Sequence, residues 1–212
     1  CLLMAYVHVA HDCIVKDKVI LANGVQLGGH VEIGFHSTVG GMTPIHQFCK
    51  VGKHSFIGGG RLALQDVPPF ILATGEPLQY SGINSIGLRR RNFEKLYSFF
   101  SSTKFFKLPR KLPQVETSWL AFPLTISSDA PFTRLELVKY LESNGIQTRP
   151  IFTGNVLRQP AFKKINYKKL TNDFHVANNI MKNSFLIGCN HGLNDEHINK
   201  IQRTFSSFLE KI

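Results

Sequence analysis

Aliphatic residues recur at every sixth position through the first third of the chain. Leu3, Val9, Val15, Leu21, Leu27, Ile33, Val39, Ile45, Val51 and Ile57 keep this register without a break. The residue before the next repeat is usually small or β-branched: Val7, Cys13, Val19, Val25, Val31, Ser37, Thr43, Cys49 and Ser55. A helix repeats every 3.6 residues and a simple strand every 2, so neither sustains a period of six. A solenoid of short parallel strands does: each hexapeptide forms one flat side, and three sides close a triangular coil of 18 residues. The aliphatic residue points inward and stacks on its equivalent in the next coil. Gly24, Gly28, Gly40, Gly52 and Gly58 are read as corner residues that need unusual φ/ψ.

Beyond Arg91 the period of six stops. Phe93 to Phe106 is aromatic and basic, and Pro109 and Pro113 mark a connector. Trp119 to Ile126 reads as a strand. Thr133 caps a helix, with Glu136 completing a capping box, Phe132 and Leu137 a hydrophobic staple, and Gly145 the end. Leu135, Val138 and Leu141 are expected to be its buried face. Thr148–Phe152 and Phe185–Cys189 read as strands and Asp173–Lys182 as a helix. A last helix starts near Asn194 and buries Ile198, Ile201, Phe205, Phe208 and Ile212. The order describes a small α/β (α+β) domain.

Composition divides at the same place. Of 17 Gly, 13 precede residue 91, and of 17 Phe, 13 follow residue 90. Residues 1–90 hold 7 basic and 5 acidic residues, net +2, so +9 of the chain's +11 lies in 91–212. Two modules are therefore expected, 1–90 and 91–212, joined near Arg89-Arg90-Arg91. The charge raises a nucleic-acid function, but no recognition motif is present and the later lysines are spread along expected helices. No apolar run is long enough for a membrane-spanning helix. The chain begins at Cys1 without a signal segment and reads as a fragment or processed product. Cys1, Cys13, Cys49 and Cys189 lack metal-type spacing and suggest a reducing compartment; Cys13 and Cys49 fill inward positions as small hydrophobes.

The histidines are the chemical signal, set against the plainer reading of scattered surface histidines. His11, His30 and His46 are 19 and 16 residues apart, each close to one coil, so their imidazoles should gather along one edge of the prism. His8 lies near them and Asp12 follows His11. A metal centre is the weaker reading, because no His-x-x-x-His helix spacing occurs and no carboxylate completes a ligand set.

The runs His8-Val9-Ala10-His11-Asp12-Cys13, Ile20-Leu21-Ala22-Asn23, Gly29-His30-Val31, Gly40-Gly41-Met42-Thr43, Ile45-His46-Gln47-Phe48-Cys49, Asp66-Val67-Pro68-Pro69-Phe70 and Gly82-Ile83-Asn84 resemble the acyl-ACP–UDP-N-acetylglucosamine O-acyltransferases of lipid A synthesis. The resemblance covers about residues 1–91 and implies a left-handed parallel β-helix, here truncated, in a bacterial cytoplasmic enzyme. It implies His11 as catalytic base, Asp12 as its orienting carboxylate and the Gly29 N–H as oxyanion donor. It also implies substrate contacts at His8, Asn23, His30, His46 and Gln47, nucleotide contacts at Asn84 and Arg90, and a chain-length position at Gly59. The implied partners are acyl carrier protein and UDP-N-acetylglucosamine, in a homotrimer with sites between subunits. Coils that the family places earlier are missing, which is expected to weaken assembly and activity.

Residues 91–212 resemble a second family. Ser118-Trp119, Phe122-Pro123, Ala130-Pro131-Phe132-Thr133-Arg134, Gly145-Ile146-Gln147-Thr148-Arg149, Gly154-Asn155 and Arg158-Gln159-Pro160-Ala161-Phe162 look like the C-terminal part of DegT/DnrJ/EryC1/StrS sugar aminotransferases, nearest the nucleotide-sugar 3-dehydrase branch. That family keeps its pyridoxal phosphate machinery upstream, so neither the cofactor lysine nor its domain is expected here. Arg149, Asn155 and Arg158 are either substrate contacts or structural, and His175, His191 and His197 are expected at the surface. Acyl transfer is thus set against three alternatives: a nucleotide-sugar-binding module without turnover, an inactive fusion or remnant, and part of a DegT-type aminotransferase or 3-dehydrase.

Overall fold

The computed structural model describes residues 1–115, 117–162, 164, 166–167 and 174–212, so the expected helix start at Asp173 lies outside the described residues. The chain forms two compact units, Cys1–Leu88 and Arg89–Ile212.

The first unit is a parallel β-solenoid with three faces. One face stacks β1 (Leu2–Leu3), β4 (Ile20–Leu21), β7 (Thr38–Val39) and β10 (Phe56–Ile57). The second stacks β2 (His8–Val9), β5 (Gln26–Leu27) and β8 (Pro44–Ile45), and the third β3 (Ile14–Val15), β6 (Glu32–Ile33) and β9 (Lys50–Val51). Pairing is parallel with a register of one coil, as in Leu3↔Leu21↔Val39. The inward column is closed from Leu21 onward: Leu21, Leu27, Ile33, Val39 and Ile57 are at most 1% exposed. Leu3 and Val9, expected inside, are 52% and 38% exposed because no coil of the structure stacks beneath them. Ser37, Thr43 and Ser55 are buried polar residues whose hydroxyls donate to the carbonyls of Gly52, Gly58 and Pro68. This satisfies the groups that burial would otherwise penalise. Past residue 60 the spacing shortens, and Phe56 pairs with Leu72. A hairpin of β11 (Ile71–Thr74) and antiparallel β12 (Gln79–Ile83) then extends the first face.

The corners differ from the sequence expectation. Left-handed φ falls on every sixth residue, at Tyr6, Asp12, Lys18, Gly24, His30, His36, Met42, Phe48, His54 and Gly60, with φ between 57° and 71°. Of the expected corner glycines only Gly24 is among them. Gly28, Gly40, Gly52 and Gly58 answer to space instead. A Cβ on Gly40 would lie 2.3 Å from the Gly59 nitrogen in the next coil, a separation that no small adjustment relieves.

The second unit is built on an antiparallel four-stranded sheet in the order β13 (Phe106–Lys107), β14 (Ala121–Ile126), β16 (Ser184–Gly188), β15 (Thr148–Pro150). Helices α1 (Ser85–Ser101), α2 (Arg134–Ser143), α3 (His175–Asn183) and α4 (Asp195–Leu209) complete it, and the unit boundary falls inside α1. Thr133 and Glu136 form the expected capping box, and the Thr133 backbone N–H holds the Glu136 carboxyl below the usual carboxylate range. The buried face of α2 is Leu137 and Leu141; Leu135 is 61% exposed because it lies two residues off that stripe. Ile212 is likewise exposed, three residues beyond the end of α4. The core is aromatic: Phe93, Phe100, Phe106, Phe122, Phe132, Phe185, Phe205 and Phe208 form one cluster. Buried Asn92 donates to the carbonyls of Asn190 and Leu193, and buried Arg91 donates to Asn92 and Leu193. Burial lowers the Arg91 pKa, and nearby Asp195 partly offsets this.

Thiol accessibility follows from this packing. Cys1 is exposed, whereas Cys49 and Cys189 are buried and burial raises both thiols, Cys189 to about 12. The thiolate is the nucleophile. Maleimide at neutral pH should therefore label Cys1 rapidly and Cys49 and Cys189 only after denaturant is added, as peptide mass spectrometry would read directly.

Candidate functional site

The solenoid presents its chemistry where the second face turns into the third. Residues 10–13, 28–31 and 46–49 occupy that corner in successive coils. His11 Nδ1 lies 2.9 Å from Asp12 Oδ2, and His30 Nε2 lies 3.8 Å from the same oxygen. The hydrogen bond from His11 and the proximity of His30 hold the Asp12 carboxyl below the usual carboxylate range. Asp12 is therefore ionised at neutral pH, and the 2.9 Å contact places a proton on His11 Nδ1. Nε2 is left as the basic nitrogen.

That nitrogen faces the Gly29 backbone. A Cβ built on Gly29 would lie 2.7 Å from His11 Cε1 and 2.8 Å from Nε2. Gly29 is buried, and among the described residues its N–H donates to no backbone carbonyl. An imidazole nitrogen and a backbone N–H thus share one spot, where a proton acceptor and a hydrogen-bond donor can act on one bound group. Gly29→Ala is expected to push the imidazole off Asp12 and lower turnover by about 10²-fold or more. Circular dichroism should stay unchanged, since the φ of Gly29 suits other residues; unchanged turnover would disconnect Gly29 from the base.

His11 and His30 pack edge to face at 5.1 Å. Phe48, which sequence reasoning did not single out, stacks on His30 at 4.8 Å and fixes that ring. The 18-residue spacing from His30 was the available signal. His46 and Gln47 sit at the same corner, with His46 Nδ1 3.1 Å from the Gln47 carbonyl, and His8 is exposed on β2. The sequence offered no carboxylate for a metal-ligand set, but the fold supplies one: donor atoms of His11, Asp12 and His30 all lie within 4.8 Å of one another.

Other expected positions are elsewhere. Asn23 and Gly59 lie at the corner between the first and second faces, so one chain does not bring them to His11. Gly59 packs against the backbone of Gly40 and Gly41. The Asn84 amide donates to the His54 carbonyl, and its oxygen accepts from the Gly87 N–H at the start of α1. Arg90 belongs to the second unit.

In the second unit Arg149 is exposed on β15. Buried Asn155 donates to Asn178, accepts from the Leu157 N–H and shares Asn178 with Arg158, which is a structural role. His175 and His197 are exposed, the latter capping α4, while His191 is half-buried. Among the described residues, the lysine that lines a cavity here, Lys111, is paired with Glu94 at 2.5 Å. A Schiff-base lysine must be neutral to attack an aldehyde. Among the described residues, this cavity therefore offers pyridoxal phosphate no unpaired amine.

Residues 80–206 match the model of the DegT/DnrJ/EryC1/StrS aminotransferase family. The chain is also similar to acyl-[acyl-carrier-protein]–UDP-N-acetylglucosamine O-acyltransferases. The Thiobacillus denitrificans protein is 50% identical over 91 residues, covering 43% of this chain and 35% of that protein. The Aliarcobacter butzleri protein is 57% identical over 90 residues, covering 42% and 35%. The chain thus spans about a third of the length of these relatives. Among solved structures, the E. coli GDP-4-keto-6-deoxy-D-mannose-3-dehydratase with bound hydrated PLP is 28% identical, with a TM-score of 0.51 over 56% of this chain and 30% of that one.

Proposed function

The chain belongs, through residues 80–206, to the DegT/DnrJ/EryC1/StrS aminotransferase family, and from this premise we propose that its solenoid, residues 1–90, is a separate module that transfers an acyl chain. The donor is acyl carrier protein and the acceptor is the 3-hydroxyl of UDP-N-acetylglucosamine, the first step of lipid A synthesis in the bacterial cytoplasm. The observation that carries this reading is the His11–Asp12 pair at 2.9 Å with its free nitrogen against the Gly29 backbone.

In this reading His11 Nε2 takes the proton of the 3-hydroxyl as that oxygen attacks the thioester carbonyl. Asp12 stabilises the resulting imidazolium. The Gly29 N–H stabilises the oxyanion, a contribution of about 3 kcal/mol for a well-placed donor. The intermediate then expels the carrier thiolate, which recovers the proton from His11. His8, His30, His46 and Gln47 position the sugar, and Asn84 and Arg90 the nucleotide. Asn23 and Gly59 lie on a different corner from His11, which supports a homotrimer in which a neighbouring chain brings them to the site, Gly59 leaving room for the acyl tail.

The test is acylation of UDP-N-acetylglucosamine by 3-hydroxyacyl-ACP with the purified full chain, with mass measured by light scattering in parallel. Product formation by a trimer supports the proposal. Calorimetric binding of UDP-N-acetylglucosamine without product would replace it with a binding module. The match over residues 80–206 supports a further role, as part of a DegT-type nucleotide-sugar aminotransferase or 3-dehydrase whose cofactor domain is supplied separately.

A further inference from the structure

The second unit contains a cavity of about 590 Å³ between α1 and residues 110–113, 115, 117 and 119. Its size is within the range of about 300–1,000 Å³ usual for small-ligand sites. The walls are apolar: Phe93, Leu112, Val115 and Trp119 line it, with Phe93 and Trp119 stacked at 5.0 Å. The rim is cationic. Arg90 lines the cavity from α1 and Lys111 is paired with Glu94 and lies 4.1 Å from the Tyr97 ring, whereas Arg110 is exposed and, among the described residues, has no ion pair. Phe93 also contacts the rings of Tyr97 and Phe122, so it offers a ligand an edge and not a free face for a nucleobase. The one neutral polar side chain among the described lining residues is Thr117, too little to read a base by hydrogen bonds.

An apolar cleft with the exposed Arg110 guanidinium at its mouth suits an apolar tail that ends in a single anion. Tail burial supplies the affinity, and a carboxylate takes both donors of the guanidinium fork. We propose that this cavity binds a medium-chain carboxylate, its tail along Leu112, Val115 and Trp119 and its head on Arg110. The site lies wholly within the second unit.

Trp119 is the one tryptophan of the chain, so intrinsic fluorescence reports on this wall. Titrating the full chain with sodium decanoate, below its self-association range, should give a saturable change. Arg110→Gln should weaken binding at least tenfold, and decanol should bind correspondingly less well than decanoate. Val115→Glu, a second exposed substitution, should abolish binding by placing a carboxylate where the tail lies. Trp119→Phe should lose the optical signal yet retain calorimetric heat. The proposal is overturned by the absence of both signal and heat, by an unchanged Kd in Arg110→Gln, by equal binding of decanol, or by saturation with UMP where decanoate fails.

Discussion

His11→Ala is expected to reduce acyl transfer to UDP-N-acetylglucosamine by about 10²–10⁴-fold, the usual contribution of a positioned acid–base group. The imidazole is exposed, with 73% of its side chain open to solvent, so its removal leaves no cavity. The melting temperature should therefore match the parent chain, which separates lost chemistry from lost fold. Asp12→Asn gives a graded comparison. An amide can present its N–H to His11 Nδ1 and so favour the tautomer whose proton sits on Nε2, the nitrogen that must accept. Its rate should fall by a large factor while substrate affinity changes little. If His11→Ala retained the parent rate, the base would have to be sought among His8, His30 and His46.

Phe100→Ala should produce the largest loss of stability, about 3–5 kcal/mol, as expected for truncating a buried phenylalanine. Phe100 is 0% exposed and contacts the rings of Phe99, Phe106, Phe122 and Phe205, which come from α1, β13, β14 and α4. Deleting it opens a void that several separate elements would have to fill, and each is fixed by its own partners. Urea unfolding followed through Trp119 reads the second unit. A shift of midpoint equivalent to less than 1 kcal/mol would mean that the cluster repacks around the gap.

Much of the solenoid was legible because its period belongs to the backbone: position in the hexapeptide decides which residues point inward. Its corners were less so. Glycine suggests left-handed φ, yet His30, Phe48 and His54 adopt it. Gly40 instead marks where one backbone meets the next. That requirement depends on stacking, which a single hexapeptide does not reveal. Coil spacing placed His11 beside His30, but not the orientation that leaves His11 Nε2 against Gly29. In the second unit the caps at Thr133 and Asn194 were readable because they are local. Leu135 was misassigned because a short helix with few apolar residues admits more than one stripe. The pairing of Ala121–Ile126 with Ser184–Gly188 was not readable, since pairing across some sixty residues leaves no local trace.

The hydrogen bonds of Arg91 and Asn92 to the 190–193 segment span 98 to 102 residues. Solenoid pairings close over 18 residues, as Leu3 with Leu21 does. Long closures are entropically costly and slow. During synthesis the solenoid can wind one coil at a time as it leaves the ribosome. Phe100 of α1 must wait for Phe205 of α4 to complete its ring contacts. Expression yield should therefore respond to chaperone supply through the second unit more than through the first.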